Sequence, residues 1–495
     1  MHSHASPDTD PATWLAELAH RDPERLFLRT PDGQRVTYAA MDQRVDRMAA
    51  ALAQRAVVAG DRVVAQVEKS PDAIALYLAC LRVGAVFVPL NTAYTDAEIE
   101  YFLGDAEPKV AVGVATGISL ADLASREARA ARTQADLKQS DLAALLYTSG
   151  TTGRSKGAML TRANLATNAI TLAQEWRFRE RDVLLHALPI FHVHGLFVAI
   201  NTVLASGGSM LFLPKFDADE VVRLLPEATV MMGVPTFYTR LLQHPAFTRE
   251  RCASIRLFVS GSAPLLAETH REFRARTGHA ILERYGMSET LMNTSNPFDG
   301  ERVPGSVGPA LPGVEVRITD PESGVPLPAI DSVGMIEVRG PNVFRGYWRM
   351  PEKTATEFRQ DGFFITGDVG RFDANGYLFI VGRAKDLIIS GGYNVYPVEV
   401  EAELDALGGV VESAVIGVPH PDFGEGVTAV VVASAGTVLD ENTLRTALEQ
   451  RLAKYKLPKR IVFVSEMPRN AMGKVQKAQL RERYQDLYNP ARRNH

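Results

Sequence analysis

The sequence predicts an α/β protein with a large N-terminal domain, a small β-rich subdomain and a small α+β C-terminal domain. Three observations carry this. Segments with the helical period alternate with short strand-like runs. Several runs are apolar without alternation, the mark of a sheet covered on both faces. The chain has 495 residues, more than one core serves, so a division is expected.

The elements follow in order. Met41, Val45, Met48 and Leu52 recur at spacings of four, three and four, one face of a helix. Gly60 and Asp61 turn the chain into an apolar strand at 63–67. A helix over 71–81 and a strand over 85–89 come next. Further buried strands are expected at 142–147, 183–188, 210–213, 230–233 and 255–260. The stretch 115–140 is rich in Ala, Arg and Ser and reads as a solvated excursion. From about Val303 glycine and proline become frequent, and a short strand over 334–338 marks the β-rich subdomain. A boundary is expected near 382–386, dividing the chain into 1–384 and 385–495. Beyond it a helix over 397–407, strands over 414–418 and 428–433, and a helix over 441–455 make one domain of ordinary size.

Composition excludes several classes of function. Lys and Arg number 54 against 58 Asp and Glu, so no basic excess exists to hold nucleic acid. Cys80 and Cys252 are the only cysteines, too few for a disulfide framework, and no CxxC spacing exists to hold a structural metal. The N-terminus lacks the basic and apolar regions of a signal peptide. The most apolar stretch, 73–90, is broken by Arg82 and Gly84 and is too short for a bilayer. A cytoplasmic protein without membrane or nucleic-acid partners is expected.

The strongest local signal runs Tyr147-Thr-Ser-Gly-Thr-Thr-Gly-Arg-Ser-Lys-Gly157. An apolar strand enters a loop of glycines and hydroxyls that ends in Lys156. Glycines let backbone amides approach a ligand, hydroxyls donate to phosphate oxygens, and the lysine adds a point charge. Ser155 precedes the lysine where a Walker A loop has Gly. Other segments follow in order: Phe191-His-Val-His-Gly195, Ser260-Gly-Ser-Ala-Pro264, Tyr285-Gly-Met-Ser-Glu289, Thr366-Gly-Asp368, Gly382-Arg-Ala-Lys-Asp386 and Pro468-Arg-Asn-Ala-Met-Gly-Lys474.

Together these segments resemble the signatures of the adenylate-forming superfamily, which includes acyl-CoA synthetases, non-ribosomal peptide adenylation domains and firefly luciferase. The likeness runs from about residue 26 to about residue 480. It implies stacked αβ layers in the N-terminal domain and a mobile C-terminal domain that carries the catalytic lysine. The chemistry explains the parts. A carboxylate has no good leaving group until AMP is attached to it, and the anionic reactants repel until the site neutralises them. The resemblance implies ATP, Mg²⁺ and CoA as the small molecules required. It assigns Thr148, Ser149, Gly150, Thr151, Thr152, Gly153 and Lys156 to the phosphates. Gly261, Ser262 and Ala263 would line the adenine and acyl pockets, with Glu283, Tyr285, Gly286 and Ser288 around the nucleotide. Asp368 and Arg383 would hold the ribose. Lys474 would bind the carboxylate and the α-phosphate, with His192 and Glu289 as further catalytic groups and Glu289 and Thr152 on the metal. Lys385 falls at the family's hinge, and Ser390, Gly391, Gly392 and Tyr393 would admit the pantetheine arm of CoA. Acetylation of Lys474 would remove its charge and silence the enzyme.

Arg284 bears on the choice of acid. Most acyl-CoA synthetases carry an uncharged residue there. A guanidinium stays charged and is costly to bury unpaired, so either a second substrate carboxylate or a structural partner, Glu283 or Glu289, must answer it. The strings 283–296 and 189–196 resemble malonyl-CoA synthetases, with His192, His194, Ser262 and Met287 beside Arg284 in the carboxylate pocket. Either histidine is alternatively a packed core imidazole. The expected reaction is malonate, ATP and CoA giving malonyl-CoA, AMP and pyrophosphate, with some use of methylmalonate. The alternative substrate is another short or medium carboxylic acid.

Overall fold

Helix ends are set by local side chains. Ser70 accepts the N–H of Ala73 and Pro71 opens the helix Pro71–Val83, which Gly84 ends in the left-handed conformation. Thr95 and Glu98 cap Asp96–Ala106 reciprocally. The computed structural model describes residues 5–124, 137–148, 155–328, 330–434, 436–437, 439–470 and 473–489. Two compact units emerge. Met1–Leu265, Thr269–Val316 and Val338–Phe364 make the first; Leu266–Glu268, Arg317–Glu337 and Ile365–His495 make the second.

The first unit contains two sheets. One runs in the order Val110–Val112, Arg62–Ala65, Val86–Pro89, Leu142–Thr148, Lys156–Thr161. Its first four strands are parallel and the last returns antiparallel to Leu142–Thr148. The other has eight strands, in the order Leu291–Ser295, Leu282–Met287, Leu257–Ser260, Val230–Gly233, Val183–His186, Ser209–Phe212, Leu26–Arg29, Arg35–Thr37. Its interior pairings are parallel, with antiparallel pairs at both ends. These strands are buried almost throughout, which is why they read as unbroken apolar runs. Phe258, Phe273 and Tyr238 lock one face edge to face, with ring centroids 4.9 Å apart for Phe258–Phe273 and 5.4 Å for Tyr238–Phe273. His194–Ile200 is a π-helical turn that passes into the helix Asn201–Ser206. Such turns are rare, and no local pattern in 194–200 announces this one.

The second unit is built on a hairpin, Val410–His420 with Gly424–Ala433. Arg460–Val464 joins the second strand in parallel, and Ile388–Ser390 with Tyr393–Val395 completes the sheet. Alternation divides its side chains. Val415, Val427, Ala429 and Val431 pack beneath the helices Pro397–Asp405 and Glu441–Glu449, while Ala414, Ile416, Val418 and Val430 meet Met467, Leu480 and Tyr488. A further sheet runs in the order Glu315–Thr319, Gly334–Arg339, Phe364–Phe372, Leu378–Arg383.

The expected helix over 441–455 stops at Glu449, and a 3₁₀ turn occupies Lys454–Lys456. Arg451 and Leu452 both return their N–H groups to Leu448, and Tyr455 leaves the helical line to stack on Tyr393. In the expected excursion, Leu120–Ala124 is a short helix and 125–136 lie outside the described residues. Among the described residues no helix is long and apolar enough to cross a membrane. Phe258→Ala should lower the stability of the first unit by about 3–5 kcal/mol, read from its denaturant midpoint; a loss below about 1 kcal/mol would show that the aromatic cluster is not a packed core.

Candidate active site

Arg284 lies on the strand Leu282–Met287, between Leu257–Ser260 and Leu291–Ser295. Its residue exposure is 4%, and its Nε and Nη2 have no hydrogen-bond partner among the described residues. Burial lowers its pKa to about 9, so it is still a cation at neutral pH. No carboxylate among the described residues pairs with it. Strand alternation points Glu283 the other way, where it accepts the N–H groups of Leu265 and Gly305, both at 3.3 Å. Glu289 instead accepts the hydroxyls of Thr148 and Tyr347, both at 3.2 Å. Gly261 makes room for the guanidinium: a Cβ there would sit 2.3 Å from the Arg284 Cζ.

His194 begins the π-helical turn and is buried. Its Nδ1 is 3.2 Å from the Ser262 hydroxyl, and its Nε2 has no partner among the described residues. Burial first, then the cation of Arg284 and the neighbouring imidazoles of His192 and His186, hold its pKa well below the ordinary value. A neutral imidazole that accepts from Ser262 at Nδ1 carries its proton on Nε2, as a donor without an acceptor. His192 is half-buried, and its Nδ1 accepts the His194 N–H at 3.5 Å. The structure thus brings Arg284, His194 and Ser262 together, with His192 against His194 just before the π-helical turn. Met287, Ser288 and Ala263 are half-buried, and Tyr285 is 7% exposed. Gly286 faces the Leu291 carbonyl, 1.8 Å from where a Cβ would stand, so glycine is obligatory.

At the other end of the unit, Thr148 closes the strand Leu142–Thr148. Ser149, Gly150, Thr151, Thr152 and Gly153 lie outside the described residues. Lys156 is 7% exposed. Its ammonium sits 3.4 Å from Glu357 Oε1 and 4.4 Å above the Tyr347 ring. The Tyr347 hydroxyl also donates to Glu357 Oε2 at 2.8 Å, and Lys353 pairs with Glu357 at 2.6 Å. Burial raises the Glu357 pKa, but Lys353, Tyr347 and Lys156 outweigh it and hold the carboxyl below its usual range. Sequence reasoning missed Tyr347 and Glu357. The available signal was Gly346-Tyr-Trp-Arg-Met-Pro351, an aromatic pair between a glycine and a proline-led helix.

In the second unit, antiparallel pairing sets Asp368 opposite Arg383, whose Nε is 2.6 Å from Asp368 Oδ1. Lys385 lies on the 3₁₀ turn Ala384–Asp386, and Asp386 pairs with Arg481 at 2.5 Å. Lys474 is exposed at a turn that Asn470 closes by accepting its N–H and returning one, both at 3.0 Å. Crowding by protein, then the cations Arg383 and Lys385, lowers the pKa of its ammonium, while Asp368 and Asp386 pull it up. Ser390 and Tyr393 pair across Gly391 and Gly392, which have φ of 60° and 82°. Tyr393 is 59% exposed and stacks on Tyr455 at 4.9 Å.

Glu283 supplies a test of the burial. Desolvation pushes its carboxyl up to about 8 from 4.5, against two backbone N–H groups that favour the anion. Between those values the folded protein holds a proton that the unfolded chain releases, so stability falls as pH rises. Glu283→Gln should remove that fall. Its stability relative to the parent should climb from about pH 5 to pH 8, by up to about 1.4 kcal/mol per unit. A difference that does not vary with pH would mean the carboxyl is not held protonated.

Comparison with known proteins places this geometry. Residues 15–348 match the family described as AMP-binding enzyme, and residues 399–474 match its C-terminal domain. The chain is 57% identical to ATP-bound MatB from Rhodopseudomonas palustris, with a TM-score of 0.93 over 97% of this chain and 100% of that one. It is 39% identical to the mitochondrial malonate–CoA ligase ACSF3 of Mus musculus, over 80% of this chain and 77% of that protein. It is also 36% identical to a feruloyl-CoA synthase of Amycolatopsis, over 95% of this chain and 98% of the relative. The chain therefore belongs to the AMP-binding enzyme family and is an AMP-forming acid–CoA ligase, taking a carboxylic acid, ATP and CoA as substrates.

Proposed function

We propose that the acid is malonate, converted through malonyl-adenylate to malonyl-CoA with release of pyrophosphate and AMP. The observation that carries this is the buried Arg284 cation with its Nε and Nη2 unanswered. An unpaired buried charge costs several kcal/mol, and a second substrate carboxylate would accept both donors. His194 Nε2, also without a partner among the described residues, can donate to the same carboxylate when its Nδ1 accepts from Ser262. Likeness to malonate–CoA ligases supports the reading. A monocarboxylic substrate, such as the feruloyl group of other relatives, would leave the cation unpaired. One methyl alters affinity by about 1–3 kcal/mol, so methylmalonate is a weaker second substrate.

In the first step a malonate oxygen attacks the α-phosphorus and the bond to pyrophosphate breaks. Lys474 neutralises the meeting anions, Lys156 holds the polyphosphate, and Asp368 with Arg383 holds the ribose. The residues around Glu289 suit Mg²⁺: a buried carboxylate bonded to the hydroxyls of Thr148 and Tyr347, an all-oxygen set; the resemblance adds Thr152, which lies outside the described residues. That ion, when bound, offsets phosphate charge. In the second step the CoA thiolate attacks the acyl carbon and AMP leaves. Residues 385–495 turn about Lys385 between the steps, and Ser390, Gly391, Gly392 and Tyr393 then border the pantetheine arm. Acetylation of Lys474 blocks the first step alone.

Arg284→Ala should lower kcat/KM for malonate about 100-fold or more and leave acetate turnover within about threefold. Equal losses on both acids would overturn the diacid reading. Lys474→Ala should abolish malonate-dependent exchange of pyrophosphate into ATP, while thioester formation from supplied malonyl-AMP stays within about fivefold. Equal damage to both half-reactions would refute the division of labour.

A further inference from the structure

A second basic side chain lies in the interior of the first unit without a carboxylate. Lys69 follows the strand Arg62–Ala65, at the carboxyl end of the parallel strands, where open α/β sheets bind ligands. The residue is partly accessible, but its ammonium lies deep among protein atoms, and burial alone holds its pKa well below the ordinary value. Among the described residues no carboxylate pairs with it. Its polar and ring contacts among the described residues go to two residues. It stands 2.9 Å from Nδ1 of His186 and 2.9 Å from the His186 carbonyl, and 4.4 Å over the ring of Phe212. His186 is fully buried, and its other nitrogen, Nε2, is 2.8 Å from the Gly195 carbonyl.

The chemistry of these contacts fixes the protons. The carbonyl of Gly195 only accepts, so Nε2 carries the hydrogen. Nδ1 is then the acceptor, and Lys69 donates to it. Burial, with the Lys69 charge, keeps this imidazole neutral. Gly195 is the second residue of the π-helical turn and immediately follows His194. No side chain fits at Gly195: a Cβ would stand 2.0 Å from the Pro189 carbonyl. The turn is thus held from one side by bare backbone packing and from the other by the His186 hydrogen bond. Its first residue, His194, presents Nδ1 to Ser262, has no partner for Nε2 among the described residues, and feels the charge of Arg284.

We infer that Lys69 is a positioning residue for the acyl end of the site, acting through His186 and the Gly195 carbonyl to fix the π-helical turn that carries His194. A neutral side chain would hold His186 less firmly, and a burden as costly as a buried ammonium implies a geometric return at the end of that line. The inference rests on the carboxylic-acid reading above but not on malonate in particular.

The test uses the full-length enzyme and two sets of variants, Lys69→Met with Lys69→Gln, and His186→Phe with His186→Gln. Steady-state KM is measured separately for malonate and for ATP, with Arg284→Ala assayed alongside. Lys69→Met and His186→Phe should each raise the KM for malonate about tenfold and leave the KM for ATP within about twofold. Their double variant should be no worse than the worse single one, because both break one line. His186→Gln retains an N–H for Gly195, and Lys69→Gln retains a donor for Nδ1, so both should recover at least about half of the loss. A KM for ATP that rises in parallel, effects that multiply in the double variant, or glutamine variants as poor as the apolar ones would overturn the inference. If Lys69→Met fails to fold, Lys69→Gln against His186→Phe decides the same question. Should the parent prefer another acid, the same ratios are taken on that acid. The malonate reading then falls with the Arg284→Ala result, and the role of Lys69 is judged independently.

Discussion

The desolvation of one guanidinium is the constraint around which the acyl end of the site is organised. Arg284 sits on a buried strand between two others whose side chains are neutral, and the adjacent acids Glu283 and Glu289 are bonded elsewhere. Folding therefore carries a charge into low dielectric without the pairing that ordinarily offsets the cost. The rest of the pocket respects the same condition. Glycine at 261 gives the guanidinium its space, and a neutral imidazole stands beside it; Lys69, elsewhere in the unit, is tied to a histidine and an aromatic ring. Among the described residues, no carboxylate answers the guanidinium.

The opposite holds at the phosphate end. Lys156, Glu357, Lys353, Tyr347 and Glu289 form a chain of opposite charges bridged by a phenol. There the protein answers its own charges. Under the proposed function, binding of a nucleotide would exchange the Glu357 contact of Lys156 for phosphate oxygens, one charge-assisted bond for another.

The parallel strands were legible because burial on both faces leaves nothing polar to interrupt them: 142–147, 230–233 and the strand ending at Ser260 read as continuous apolar runs and are strands. The helix Pro71–Val83 was legible because its ends carry their own chemistry in Ser70 and Gly84. The π-helical turn at His194 was not, since it answers to the distant His186 and the Pro189 carbonyl rather than to its own residues. For the same reason the helix over 441–455 overran: Tyr455 is drawn off by Tyr393, sixty-two positions earlier in the chain. Arg284 was singled out by resemblance, yet the sequence left its partner open between Glu283, Glu289 and a second substrate carboxylate. Strand alternation sends Glu283 to the opposite face, and Glu289 is bonded to Thr148 and Tyr347.

The contact between Gly261 and Arg284 has an evolutionary side. The hydrogen at position 261 and the long cation at 284 occupy one shared volume. A descendant that keeps the arginine can place nothing larger at 261, whereas one that shortens residue 284 opens a hollow that residue 261 is free to refill. The two positions should therefore drift as a pair, and a lineage that abandons the charge loses the selection that preserves the glycine.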